Sequence, residues 1–174
     1  MDALQDASYA SATASGYAAP DAECIGALRS LQEGPYVSVN FRLDFYRYSK
    51  RWHGASATIV ETEHSVVWGI IWELDKCNLA TLDCQEGVQD NIYHAMSVNV
   101  ETPGGRTLNC RVYQQCNNPK EYIKPEDFPM DKRPSPLYLN TILKGAKENK
   151  LPTDYIKFLK TIPDNGYEGD YDIR

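Results

Sequence analysis

The stretch Val66-Val67-Trp68-Gly69-Ile70-Ile71-Trp72 is the longest continuous apolar run in the chain. It is far shorter than the roughly 20 apolar residues that a membrane-spanning helix needs, so no transmembrane segment is predicted. β-Branched and aromatic side chains dominate the run, which favours a β-strand over Val66–Glu73. The chain around it must therefore supply the other strands of a sheet.

Segments on both sides of this run have the same composition and are separated by polar, turn-like residues. They predict four further strands, over Val37–Tyr46, Ala55–Glu61, Ile92–Val100 and Thr107–Tyr113. Thr102-Pro103-Gly104-Gly105 is typical of a hairpin turn between the last two strands, because glycine adopts positive φ at no steric cost. Between the third and fourth strands, Asp75 is expected to cap a short helix that ends at Glu86-Gly87.

The C-terminal part of the chain has helical signals. After a long polar loop expected on the surface over Asn117–Arg133, Ser135-Pro136 indicates an N-cap followed by proline at the first helical position. A second helix is predicted from near Thr153 until Pro163 stops it, and the acidic tail Asp164–Arg174 is expected to fray or lie on the surface. Strands followed mostly by helices predict an α+β domain.

The N-terminal segment has a different composition. Met1–Ala22 is rich in alanine and serine without apolar periodicity, so we expect it to be mostly disordered. Cys24–Gly34 has the spacing of a short helix. We therefore divide the chain into a divergent, largely disordered segment over residues 1–35 and a folded domain over residues 36–174.

Charge and cysteine content restrict the class of protein. The 174 residues include 18 Lys+Arg and 24 Asp+Glu, a formal charge of −6, which disfavours a nucleic-acid partner. The first basic residue is Arg29, so the N-terminus lacks the cationic start of a secretory signal. Five cysteines without a Cys-x-x-Cys pair are typical of free thiols in a reducing compartment. These features predict a soluble cytoplasmic protein that binds neither a membrane nor a nucleic acid.

The residue pattern offers little support for metal or nucleophilic catalysis. His53, His64 and His94 are separated by predicted strands and lack zinc-site spacing, and no Gly-x-Ser-x-Gly motif is present. No metal site and no cofactor are therefore predicted. His53 precedes a strand, and the structural interpretation of this residue outweighs a catalytic one.

The stretch Leu82–Val88 is the most informative for chemistry. Glu86 lies where the predicted short helix meets a loop, among apolar neighbours. Partial desolvation there would raise its pKa toward neutrality and suit it to proton transfer, although a glutamate at a helix end is more often solvent-exposed. Tyr93, Tyr113 and Tyr138 fall at ends of predicted elements, where they either line a cleft or cap the core.

Several blocks in order make the sequence similar to the γ-glutamylcyclotransferase family in its eukaryotic cytosolic form, over roughly Asn40 to Gly169. The Gly145-Ala146-Lys147-Glu148-Asn149 run is the most specific of them. The other blocks are Phe41-Arg42-Leu43-Asp44-Phe45, Trp52-His53-Gly54, Val67–Trp72, Leu82-Asp83, Gln85–Val88, Cys110-Arg111 with Tyr113, Pro134–Pro136 with Tyr138, and Leu151-Pro152.

The resemblance implies a small mixed β-barrel flanked by helices. It implies conversion of γ-glutamyl amino acids, which are small-molecule peptides, into 5-oxoproline and a free amino acid in glutathione turnover. Glu86 falls on the family's catalytic general acid/base, and Tyr93, Tyr113 and Tyr138 fall on the tyrosines near its substrate. Neither cofactor nor metal takes part in that reaction, and related proteins often form homodimers.

The sequence departs from the family at its start. The Tyr-Gly-Ser-Asn loop, whose backbone amides help to hold the glutamyl group, has no counterpart in this chain. The first strand of the barrel is therefore expected to be missing or replaced. A catalytically impaired homologue, acting as a ligand-binding or interaction module, stays open as the alternative function, and the acyl acceptor stays open between an amino acid and an amine.

Overall fold

The computed structural model describes residues 9–12, 35–74 and 76–171, and in them five strands close into a barrel. The strands are β1 (Tyr9–Ala12), β2 (Pro35–Ser49), β3 (Gly54–Leu74), β4 (Tyr93–Glu101) and β5 (Thr107–Gln115). Their order is β1-β3-β2-β4-β5, with β1 and β5 parallel and the other pairs antiparallel. The predicted α+β fold with a mixed barrel is confirmed.

Strand β1 lies within the segment that the sequence predicts to be mostly disordered. Tyr9 pairs with Leu74 of β3, and Ser11 pairs with Arg111 of β5, so these four residues bridge two strands. They replace the first strand and leave neither neighbouring strand edge open at that point. These four residues form a strand that the sequence does not predict, whereas the expectation that Met1–Ala22 is mostly disordered stays a prediction. The rest of residues 1–34, with the helix expected over Cys24–Gly34, lies outside the described residues.

Strand β3 replaces two predicted strands. The sequence predicts strands over residues 55–61 and 66–73 with a turn between them, but the structure continues through both as one strand of 21 residues. Asn40 of β2 and His64 of β3 have φ of 62°, and the Asn40 side-chain oxygen accepts the backbone N–H of His64 at 3.2 Å. The polar residues around His64 are thus accommodated by an irregularity in the β2–β3 ladder rather than by a chain reversal.

Within residues 9–12, 35–74 and 76–171, three α-helices pack beside the barrel. Helix α1 spans Leu79–Gln85, α2 spans Pro136–Glu148 and α3 spans Thr153–Leu159. The Ser135 side chain accepts the Tyr138 N–H as predicted for an N-cap. None of the helices in the described ranges combines the length and the apolar character that crossing a bilayer requires.

The main core joins the barrel to α2 and α3. Its buried side chains come from β2 to β5 and from both helices, and they include Phe41, Phe45, Val98, Val100, Val112, Leu139, Ile142 and Leu159. Gly54 lies where the barrel meets the N-terminus of α2, and a Cβ there would be only 2.3 Å from the Ser135 backbone nitrogen. The chain therefore needs glycine at this contact.

The long loop after β5 is only partly on the surface. It contains short 3-10 turns over Pro125–Asp127 and Met130–Lys132, and between them Phe128 is 3% exposed. The Phe128 ring packs edge-to-face on Phe45 at 6.3 Å. The loop, which its polarity predicts to lie on the surface, thus contributes an aromatic side chain to the core.

The C-terminal tail is anchored rather than frayed, as far as Tyr171. The Asn165 side chain donates to the His53 carbonyl at 2.7 Å, and the Tyr167 ring stacks on the His53 ring at 4.3 Å. His53 has φ of 50° and lies in the turn before β3. These contacts agree with the structural role that the sequence favours for His53.

Candidate active site

Glu86 lies at the C-cap of α1, where the chain turns toward β4. Its backbone N–H donates to the Leu82 carbonyl at 3.0 Å, which keeps it in the last helical turn. Gly87 follows with φ of +64°, and a Cβ at this position would lie 2.8 Å from Cδ1 of Ile92. Glycine at position 87 therefore permits both the turn that ends α1 and the close approach of the Ile92 side chain.

Burial controls the electrostatics of Glu86. Its side chain is half-buried, and burial raises the pKa of its carboxyl from 4.5 to about 7. Glu86 is therefore not fully solvent-exposed, as glutamates at helix ends usually are. A carboxyl group with a pKa near neutrality can both accept and donate a proton at ordinary cellular pH.

Tyr93 is the predicted site residue that lies within electrostatic reach of Glu86. The negative charge of Glu86 contributes to the raised pKa of Tyr93, after the larger effect of burial. The Tyr93 hydroxyl lies 3.0 Å from the Ala57 carbonyl oxygen, and Gln115 donates to it through Nε2 at 3.2 Å. Tyr93 is thus held in place by two elements distant in sequence, β3 and β5.

The Tyr138 side chain extends from α2 to Ala57 of β3, which Tyr93 also contacts. Its hydroxyl accepts the Ala57 N–H at 3.2 Å, while the Tyr93 hydroxyl bonds to the carbonyl of that residue. Tyr138 is 1% exposed, and its ring lies 4.9 Å from that of Trp52. The structure therefore brings Tyr93 and Tyr138 together at Ala57 and places Tyr138 in the core.

Tyr113 belongs to a charged network between β5 and α1. Its hydroxyl donates to Asp83 at 2.5 Å and accepts from Arg111 Nε at 3.1 Å, and Arg111 also forms an ion pair of 2.7 Å with Asp83. Burial and the bond to Asp83 raise the pKa of Tyr113. Asp83 lies three residues before Glu86, so the network ties the end of α1 to the barrel wall.

A second apolar cluster joins α1 to strands β4 and β5. Leu82, Tyr93 and Tyr113 are buried against one another, with Ile92 packed on them. Tyr93 and Tyr113 thus pack at the end of α1, where Glu86 lies, and Tyr138 meets Tyr93 at the Ala57 peptide.

Sequence reasoning missed Gln115, which is 1% exposed and bonds to the Tyr93 hydroxyl. Gln115 lies two residues after Tyr113, the predicted end of the last strand, and this position was the available signal. Its amide nitrogen also lies 2.9 Å from the Ser56 carbonyl oxygen, and its side-chain oxygen accepts the Arg47 N–H at 3.1 Å. Gln115 therefore links three strands beside the candidate site.

A cavity of about 280 Å³ adjoins this polar cluster, and its lining includes Tyr46, Arg47, Ile92, Gln115 and Lys132. Two of these residues connect it to the candidate site. Ile92 contacts Gly87, and Gln115 bonds to Tyr93. Ile92 and Gln115 thus belong both to the cavity lining and to the surroundings of Gly87 and Tyr93.

The chain is similar to curated proteins named γ-glutamylcyclotransferase. The γ-glutamylcyclotransferase of Bos taurus is 42% identical over 134 residues, which cover 75% of this chain and 65% of the bovine protein. The Homo sapiens protein of the same name is 40% identical with the same coverage. The chain thus matches 65% of the length of these curated relatives.

A solved structure and a family model also match this chain. A solved structure of a γ-glutamyl cyclotransferase superposes with a TM-score of 0.80 at 30% identity, covering 95% of this chain and 94% of the other. The model of the AIG2-like family matches residues 66–159, which contain α1, Glu86 and the three tyrosines. This chain therefore belongs to the AIG2-like family and is a homologue of the γ-glutamylcyclotransferases.

Proposed function

We propose that this protein is a γ-glutamylcyclotransferase that converts γ-glutamyl amino acids into 5-oxoproline and the free amino acid. The observation that carries the proposal is the half-buried Glu86, whose pKa is raised to about 7 beside Tyr93. Its relatives of 40–42% identity bear the name of this activity. A carboxyl group of such pKa is the proton carrier that the reaction requires.

The reaction is an intramolecular acyl transfer. The α-amine of the glutamyl group attacks its own γ-carbonyl carbon, a C–N bond forms in a five-membered ring, and the bond to the acceptor nitrogen breaks. The attacking nitrogen loses two protons as it changes from an ammonium to a lactam N–H, and the acceptor nitrogen gains two as it leaves as an ammonium. Glu86 takes each of these protons in turn from the attacking nitrogen and delivers it to the departing nitrogen, so the carboxylate is regenerated. Because the nucleophile belongs to the substrate, orientation matters more than activation, and neither metal nor cofactor is needed.

The tyrosines shape the site in this proposal. The hydroxyls of Tyr93, Tyr113 and Tyr138 already bond to protein groups. We propose that they hold the walls of the substrate pocket and that Tyr93, the one within reach of the Glu86 charge, lies closest to the reacting group.

The alternative is a catalytically impaired homologue that binds a ligand or a protein partner. The observation that favours it is the β1 sequence, Tyr9-Ala10-Ser11-Ala12, which has no Tyr-Gly-Ser-Asn motif. Without backbone donors for the developing oxyanion, the rate would fall by about 10² to 10³ for each donor lost. Activity measurements separate the two functions.

The deciding experiment incubates the purified protein with γ-glutamyl-alanine and measures 5-oxoproline. We expect product from the wild type, none above background from Glu86→Gln, and wild-type rates from Glu101→Gln, which alters an exposed carboxylate at the end of β4. Undiminished turnover by Glu86→Gln would remove Glu86 from the mechanism. No turnover by a folded wild type would favour the impaired homologue.

We further propose that the protein acts in the cytoplasm in glutathione turnover. Cys77, Cys84, Cys110 and Cys116 are free thiols, as expected in a reducing compartment. We also propose a homodimer, which light scattering after size-exclusion chromatography tests. The domain boundary at residue 36 stays a proposal for where family-like sequence begins.

A further inference from the structure

Tyr93 and Gln115 form a cross-strand pair at the end of the β4–β5 hairpin that packs on α1. Ile92, the residue before Tyr93, donates its backbone N–H to the Gly87 carbonyl at 3.0 Å, and its own carbonyl accepts the Cys116 N–H at 3.0 Å. The chain beside this pair is therefore tied both to the turn that ends α1 and to the end of β5. These backbone contacts place the pair next to the candidate active site.

The partners of the Gln115 amide determine its orientation. Its side-chain oxygen accepts the Arg47 backbone N–H at 3.1 Å, and only the oxygen of an amide side chain can accept. Its nitrogen therefore faces β3 and Tyr93, where it lies 2.9 Å from the Ser56 carbonyl oxygen and 3.2 Å from the Tyr93 hydroxyl. Reversing the amide would leave a buried N–H and a buried carbonyl unpaired, so the nitrogen stays the group that meets Tyr93.

The single hydrogen of the Tyr93 hydroxyl is then directed to β3. Because the amide nitrogen donates to the hydroxyl oxygen, the hydrogen points elsewhere, and the Ala57 carbonyl oxygen lies at 3.0 Å and Ser56 Oγ at 3.2 Å. Ser56 Oγ can accept because its own hydrogen is directed to the Arg47 carbonyl at 3.1 Å. Tyr93 therefore cannot donate a proton to a departing amine while this network is intact.

Burial makes the arrangement specific. Gln115 is 1% exposed and Tyr93 is 9% exposed. A buried polar network whose members are all paired holds them in one arrangement. A well-packed apolar side chain would avoid the cost of desolvating the glutamine amide, so stability alone does not account for a glutamine at this position.

We propose that Gln115 is a positioning residue for the cyclisation, which holds the Tyr93 ring and hydroxyl in the orientation that forms a wall of the γ-glutamyl site. The inference rests on the proposed function and adds to it a residue that acts only through Tyr93. Gln115 should therefore lose its effect on the rate when the Tyr93 hydroxyl is absent.

The test is a double-mutant cycle of Gln115→Met and Tyr93→Phe, with 5-oxoproline formation from γ-glutamyl-alanine measured well below the Tm of every variant. Methionine keeps the length of glutamine without its hydrogen bonds. Since small misplacements of reacting groups cost up to about 10² in rate, each single substitution should lower kcat by about 10- to 100-fold and change KM less. The double variant should match Tyr93→Phe within about twofold.

Gln114→Met is the matched control. It removes a bond of 2.8 Å from the adjacent glutamine to the Ile59 carbonyl of β3, and Gln114 is paired with His94 instead of Tyr93. Its kcat should stay within about twofold of the wild type. If Gln115→Met does not fold by circular dichroism, Gln115→Asn replaces it in the cycle, because a side chain one methylene shorter cannot span Arg47 and Tyr93 together.

The cycle separates a failure of this inference from a failure of the proposed function. In an active enzyme, an undiminished kcat of the Gln115 variant, or the same fold-loss with and without the Tyr93 hydroxyl, would overturn the positioning role alone. If the wild type makes no 5-oxoproline, calorimetry with γ-glutamyl-alanine measures the same cycle as affinities. A loss that disappears in the Tyr93→Phe background would then support the positioning role and refute only the enzymatic function, whereas additive losses or no binding would overturn both.

Discussion

Replacing Glu86 with glutamine should stabilise the protein at neutral and alkaline pH, although the variant should be inactive. Glutamine has nearly the shape of protonated glutamate but cannot ionise. The pKa of Glu86 rises from 4.5 in the unfolded chain to about 7 in the fold, because burial disfavours the charged form. Burying the ionised Glu86 carboxylate therefore lowers the free energy of unfolding of the wild type at neutral and alkaline pH.

The sign and size of the effect follow from proton linkage. Below pH 4.5 both states hold the proton, so wild type and Glu86→Gln should differ little. Between pH 4.5 and about 7 the unfolded state releases the proton while the folded state keeps it, and the stability contributed by the protonated group is lost. Each pKa unit corresponds to about 1.4 kcal/mol, so the wild type should be less stable by about 3 kcal/mol at pH 8.

Urea denaturation at pH 4.5, 6 and 8 measures this difference, with Glu101→Gln as the control for loss of an exposed carboxylate. The same free energy corresponds to an increase of roughly 6 to 12 °C in the Tm of Glu86→Gln at pH 8. A difference between wild type and variant that does not change with pH would refute the argument, because it would assign the effect of the substitution to packing and not to ionisation.

Three further substitutions test the framework around the site. Gly54→Ala should prevent folding or lower the free energy of unfolding by several kcal/mol, since the new Cβ would lie 2.3 Å from the Ser135 backbone nitrogen; circular dichroism and thermal melting measure this. Tyr138→Phe should cost about 1 to 3 kcal/mol in urea denaturation, because the buried Ala57 N–H loses its acceptor; an unchanged midpoint would mean that this bond contributes nothing. Asp83→Asn should weaken the ion pair that ties α1 to β5 and lower kcat more than it raises KM, whereas a rise in KM alone would contradict a positioning role for this residue.

Much of the fold could be predicted because its signals are local. The β4–β5 hairpin turns at Thr102–Gly105 as its glycines indicate, and α2 begins after Ser135 as its capping pattern indicates. Strand β1 could not be predicted, since its alanine-rich sequence has no strand pattern of its own. It forms where β3 and β5 both offer hydrogen-bonding edges, which are brought together only by the closed barrel.

The loop after β5 was mispredicted for a related reason. Its prolines and charges correctly exclude long regular elements, but Phe128 becomes buried by packing on Phe45, a residue more than 80 positions earlier. Similarly, the polar residues around His64 do not end β3, because a partner strand with Asn40 accommodates them. In each case a contact distant in sequence outweighed the local preference.

The sequence by itself determined most of the strand and helix segments, the family and the candidacy of Glu86, because these depend on side-chain type, spacing and order. Only the tertiary structure decided that Glu86 is half-buried, that Tyr93 and Tyr138 meet at Ala57, and that the charges of Glu86 and Arg47 shift the pKa of Tyr93 in opposite directions. Desolvation and charge proximity depend on which distant residues surround a group. That information exists only once the barrel has closed.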